Sequence, residues 1–148
     1  MEVSTLFKLP EAQEKTWDLK LRGYREVEIA QQLNVSRQAV NKAIRIVKSR
    51  LAEMFISISK VLDCDLIKLD VEKGLFVGRI RQNNKRIYGC YVPGYGLIVI
   101  FEDIDPKNKE STNVEILFRF ASEYFGIKKE KIEQNTLKKI IADVFEKI

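Results

Sequence analysis

Between residues 36 and 52 the chain carries Arg37, Lys42, Arg45, Lys48 and Arg50 and no acid. Gln38 and Asn41 are interleaved with these cations. Arg and Lys can donate to phosphates or to guanine edges, and Gln and Asn can pair with adenine in the major groove. On a helix that buries Val40, Ile44 and Val47 at i, i+4, i+7, the residues Arg37, Gln38, Asn41, Lys42, Arg45 and Lys48 share the other face. Ser36 precedes that face and suits the N-cap, because its hydroxyl can accept from an orphan N–H one turn on. Ser36 through Lys48 is therefore the candidate set for binding double-stranded DNA, with Lys48 suited to a phosphate. Two other readings stay open: a basic helix that is merely solvated, and a helix that contacts an acidic protein.

Such a helix needs a support. Ile29, Ala30 and Leu33 fall on one face of a preceding short helix opened by Glu26 and Glu28. Asn34 tolerates the left-handed conformation that ends a helix, and Val35 can fill the space beneath the turn. A further helix runs from Pro10 to Arg22 with Ala12, Trp17, Leu19 and Leu21, and Gly23 stops it. Leu6, Phe7 and Leu9 form a lead-in expected to tuck against this helix. Trp17 reads as core.

The residues Leu9-Pro10, Leu19, Gly23, Ile29-Ala30, Leu33, Val35-Ser36 and Val40 give this layout a likeness to a known class. It resembles the helix-turn-helix of sigma-factor region 4, of LuxR-type response regulators and of small archaeal regulators of the Tfx kind, over about residues 9–50. The resemblance implies that Arg37, Gln38, Asn41 and Lys42 face the major groove. Asn34 stands where many members have Gly, and Arg25 where Ser or Thr is common.

No stop signal follows residue 51, since Gly and Pro are missing between Gly23 and Gly74. Val40, Ile44, Val47, Leu51, Met54, Ile58 and Val61 continue a heptad seam. A helix from 36 to about 62 would be roughly 40 Å long. Leu51, Met54, Phe55, Ile58 and Val61 are then candidates for a homodimer interface that spaces two reading helices about one DNA turn, ~34 Å, apart. Equally, this half of the helix can cover the chain's own C-terminal part.

Beyond residue 65 the period changes. Residues 66–71 alternate, with Ile67, Leu69 and Val71 as the apolar set. Further strands are read at 75–80, 87–92 and 97–101, the last apolar throughout and so expected to be a central strand. Short loops between them predict an antiparallel meander. Thr112 to Glu115 is a capping-box pattern before Val114, Leu117, Phe118, Ala121 and Phe125, and Gly126 follows. A last helix is read over 136–148 with Leu137, Ile140, Ile141, Val144, Phe145 and Ile148 on one face. The fold class is α+β: a helical DNA-binding unit at 1–50, a linking or dimerising helix at 51–64, and an oligomerisation or effector-sensing unit at 65–148.

Composition narrows the function. Hydrophobic content of 45% with 32% charged residues describes a globular protein of net charge +5. Lys and Arg outnumber Asp and Glu by eleven to seven up to residue 62, and by fifteen to fourteen beyond it. The positive excess thus sits with the reading helix. The chain has no His, which removes the commonest general base and metal ligand. Cys64 and Cys90 read as reduced core thiols rather than a disulfide framework. Asp63 with Asp65, and Glu102 with Asp103 and Asp105, match no metal loop. Tyr88, Tyr91 and Tyr95 with Cys90 read as core rather than a small pocket. No membrane span or secretory signal is visible, which points to a cytoplasmic protein without cofactor, metal or catalytic site. The resulting expectation is a sequence-specific transcription regulator acting on DNA as a homodimer, with a small molecule or protein as effector. The alternatives are an architectural or replication-associated DNA-binding protein and a protein-interaction module.

Overall fold

A computed structural model describes residues 8–103, 112–127 and 134–146. Within them the protein is α+β, with helices packed on both faces of one antiparallel sheet. Helix α1 (Glu11–Leu21) follows Pro10, whose ring presets the first φ, with Glu11 and Glu14 at the positive end. Gly23, at φ 96°, turns the chain toward α2 (Glu26–Leu33). The cap that Arg25 left unclear comes from Glu28, whose carboxylate accepts from the Arg25 backbone N–H at 3.0 Å. That bond and the Arg25 guanidinium hold Glu28 below the usual carboxylate range.

Asn34 ends α2 in the left-handed region at φ 55°. Ser36 then caps α3 (Arg37–Val61), its Oγ accepting from the Ala39 N–H at 3.0 Å. Val35 does not fill the space beneath this turn: it is 47% exposed. Ala30 lies at the buried crossing, and its small side chain lets α2 and α3 approach. Twenty-five helical residues make α3 about 37 Å long.

The strands β1 (Cys64–Asp70), β2 (Leu75–Ile80), β3 (Arg86–Val92) and β4 (Gly96–Phe101) pair in sequence order, each antiparallel to the next. Two expectations are corrected here. The apolar run at 97–101 is an edge strand, and the strands covered on both faces are β2 and β3. A short apolar run shows that neighbours lie on both sides but does not say how many strands flank it. In β1 the register slips between Leu66 and Lys68. The side-chain alternation nevertheless runs unbroken from Cys64 to Asp70: Cys64 and Leu66 pack on the core, so Ile67 and Leu69 take the open side instead of facing it.

Helices α4 (Thr112–Phe125) and α5 (Gln134–Phe145) cover one sheet face. Val114, Leu117, Phe118 and Ala121 from α4 meet Leu137, Ile140, Ile141, Val144 and Phe145 from α5 over Leu75, Val77, Tyr88, Cys90, Val92, Ile98 and Ile100. Phe125 packs against this cluster half-buried. The side chain of Thr112, Ile148, and the lead-in residues Leu6 and Phe7 lie outside the described residues. No described helix is long and apolar enough to cross a membrane.

The opposite sheet face carries the remaining helices. Trp17 of α1, Ile29 of α2, and Val47, Leu51 and Phe55 of α3 share one buried cluster with Phe76, Ile87 and Tyr91 of the sheet. The core therefore runs on past residue 50 without a break. Three polar clamps reinforce it. The Tyr91 hydroxyl receives the Leu9 backbone N–H at 2.7 Å and donates to the Glu14 carboxylate, which also accepts from Gly94 N. Burial, and then the Glu14 carboxylate, push the Tyr91 hydroxyl's pKa far up. Asp18 accepts from Tyr124 of α4 and from Arg22. Glu72, in the β1–β2 turn, accepts from Lys20 of α1 and Lys48 of α3.

Phe76 has room because its cross-strand partner is Gly89. A Cβ at Gly89 would sit 1.8 Å from Phe76 Cε1, and that ring is pinned from above by Phe55 at 4.9 Å between centroids. Gly89→Ala is expected to destabilise by about 1–3 kcal/mol or more through overpacking. Adding Phe76→Leu should recover part of the loss, and chemical denaturation of the two singles and the double measures it. Tyr91→Phe leaves the Leu9 N–H and the Glu14 carboxylate short of a partner, and should cost about 1–3 kcal/mol in the same measurement.

Candidate nucleic-acid interface

The site begins at the turn between α2 and α3. Ser36 starts α3 in a fixed place, and Val40, Ile44 and Val47 bury the side that faces α1 and α2. That burial orients the rest. Arg37, Gln38, Asn41, Lys42 and Arg45 are all exposed, as expected from the sequence. Among the described residues, Lys42 and Arg45 make no ion pair. Arg50 is exposed too, but five residues past Arg45 it lies about 140° around the helix, off this face.

Lys48 departs from the expectation. Its side chain is only 28% exposed, and its Nζ lies 2.5 Å from Glu72 Oε1. Glu72 also meets Lys20 at 3.3 Å. The Lys48 hydrogen bond, then that of Lys20, hold the Glu72 carboxyl below its ordinary range. Lys48 thus pairs α3 with the β1–β2 turn, whereas Lys42 and Arg45 stand open.

A second acid, Glu26, reaches the exposed face from α2. Its Oε1 accepts from Asn41 Nδ2 at 3.1 Å, and its Oε2 lies 3.8 Å from Arg37 Nε. Glu26, Arg37, Gln38, Asn41 and Arg45 line an open polar cup of about 410 Å³. In the sequence Glu26 stands out only as a helix opener, and Glu72 carries no signal that ties it to this face. No spacing rule could have joined them to α3, because the crossing of α2 and the bend of a hairpin bring them there.

The residues expected to dimerise fall differently. Leu51, Met54 and Phe55 are buried against the chain's own sheet, and Ile58 is half-buried on the same cluster. Val61 alone of the five is open, at 75% exposure. The heptad spacing was real, but the surface it meets is Phe76, Ile87 and Tyr91.

The remaining chemistry candidates are taken up internally. Asp63 and Asp65 bind the Arg81 guanidinium, at 3.3 Å and 2.8 Å, and that hydrogen bond to Asp65 raises the Arg81 pKa. Lys85 pairs with Asp103, and Arg86 with Glu146 of the turn after α5. Among the described residues no group of His, Cys, Asp and Glu could hold a metal ion. Asp105 lies outside those residues. Tyr88, Tyr91 and Cys90 are buried and Tyr95 is exposed, so these four do not gather into a pocket. Cys64 and Cys90 are free thiols in the core, and burial pushes the Cys90 thiol far up.

Compared with protein-family models, with curated proteins and with solved structures, the chain matches none.

Proposed function

We propose that this protein is a sequence-specific regulator of transcription that binds double-stranded DNA through a helix-turn-helix formed by α2 and α3. One observation carries the reading. Arg37, Gln38, Asn41, Lys42 and Arg45 stand exposed together on the first turns of a helix whose opposite side is locked into a core. The major groove is about 12 Å wide and admits one such helix. Cations near phosphates supply affinity, and amide and guanidinium groups at base edges supply sequence choice. The Ser36 cap fixes where the helix begins, and the first residues of a reading helix are those that meet bases.

The reading no longer draws on a coiled coil, since Leu51, Met54 and Phe55 are core residues. Nor does it assign an effector to the sheet, where the tyrosines named above form no pocket.

Selection from random duplexes tests the proposal. A preferred sequence should emerge, bound more tightly than scrambled DNA. A ratio near one between the two would favour an architectural role, and no salt-dependent retention at all would favour protein contact. Lys42→Ala and Arg45→Ala should each flatten the slope of log affinity against log salt by about 1. Gln38→Ala should lose about 1–3 kcal/mol of discrimination at one base position, measured with a set of single-base variants of the selected duplex. Lys48→Ala should flatten the salt slope less than Lys42→Ala or Arg45→Ala, because Glu72 holds this cation away from the exposed row.

A further inference from the structure

Glu26 is an acid set against the cationic face that would approach phosphates. Its two oxygens are both engaged there, by Asn41 Nδ2 and by the Arg37 guanidinium. We infer that Glu26 is a specificity-setting, positioning residue: it fixes the orientation of Asn41 for base reading, and it holds down affinity for DNA of any sequence. The inference rests on the major-groove reading of α3 given above.

The first half follows from hydrogen-bond chemistry. A carboxylate only accepts, so the Asn41 amide must turn its NH2 toward Glu26. The Asn41 carbonyl oxygen is then set on the other side of the amide. An amide nitrogen carries two hydrogens, and Glu26 takes one of them. The second hydrogen and the carbonyl oxygen remain, which is the donor and acceptor pair that adenine's N7 and N6 require. Arg37 Nε stands 3.8 Å from the second Glu26 oxygen, an ion-pair distance and not a hydrogen bond, so Glu26 draws the guanidinium by charge and leaves its nitrogens free to donate. A side chain already held in its reading orientation loses less freedom on binding than one that must be ordered at that moment.

The second half follows from charge. A carboxylate beside the groove-facing cations repels phosphates whatever the sequence. A residue that only supported the fold, or only touched phosphate, would move specific and nonspecific binding the same way when altered. Glu26 is placed to move them apart. Glu28 supplies the comparison, because it lies on the same helix but holds Arg25 instead.

The test uses the full chain, the duplex found by selection with the parent protein, and a scrambled duplex at the same salt. Glu26→Ala should bind the scrambled duplex about threefold more tightly, through one less repelled counterion equivalent. The ratio of selected to scrambled affinity should fall by about tenfold, as orientation at one bidentate contact is lost. Glu26→Gln removes the charge but keeps an oxygen that can accept from Asn41. It should keep the tighter scrambled binding and recover most of the ratio. Glu28→Gln should leave the ratio unchanged. An unchanged ratio in Glu26→Ala overturns the inference while the DNA reading stands. A parallel loss on both duplexes with a lowered melting temperature makes Glu26 structural and also overturns it. No retention of the parent protein on either duplex removes this inference and the DNA reading together.

Discussion

A single apolar stripe runs the length of α3, and two surfaces divide it between them. The N-terminal half, Val40, Ile44 and Val47, lies against α1 and α2. The C-terminal half, Leu51, Met54 and Phe55, lies against Phe76, Ile87 and Tyr91 of the sheet. Each such side chain contributes about 1.5–3 kcal/mol on burial. Because one unbroken helix carries both halves, neither can rotate about the helix axis without exposing the other. The charged face at Arg37 to Arg45 is fixed by this constraint more than by any contact of its own.

The polar clamps act on the same geometry from the side. Tyr91, Glu14 and the Leu9 backbone tie α1 to β3, and Glu72 ties α1 and α3 to the first hairpin. Exposed ion pairs such as those of Glu72 add little free energy, about 0–1 kcal/mol each. Their direction matters more here. They draw Lys48 out of the exposed cationic row and leave that row shorter, ending near Arg45. The Tyr91 group differs, since it is largely dry, and a buried hydroxyl has few substitutes for the partners it holds.

The sequence was a good guide to the elements and a poorer one to their neighbours. Helix ends were readable at Gly23, Asn34 and Ser36, because each of these residues has a local mechanism for ending or starting a turn. The strand at 75–80 was readable from its bounding turns. By contrast, the 4-3-4-3 seam from Val40 to Val61 states that α3 has one wet side and one dry side. It does not name the partner, and a sheet of the same chain fits the seam as well as a second copy would. Ile67 and Leu69 were misplaced because Cys64 and Leu66, on the other side of the same strand, are the residues that meet the core. Of the reading face, Arg37, Gln38, Asn41, Lys42 and Arg45 were legible from periodicity alone. Glu26 and Glu72, which decide how free those groups are, were not, because their contacts span residues with no periodic relation.

The shared core also constrains how the charged face could be coupled to the sheet. A coupling between two sites needs an element with two arrangements that both sites bias. In many two-part regulators a flexible joint supplies it. Here α3 passes from the charged face into the sheet's own core without a break, and Phe55 packs on the Phe76 ring, which in turn lies over Gly89. A change at the sheet would have to move α3 as a rigid rod or leave it alone. The more adjustable parts are at the edge: α2, a short helix held by Ile29 and Ala30, and the side chains it bears. Glu26 lies there, so shifting α2 alters the hold on Asn41 and Arg37 without disturbing the large hydrophobic contacts.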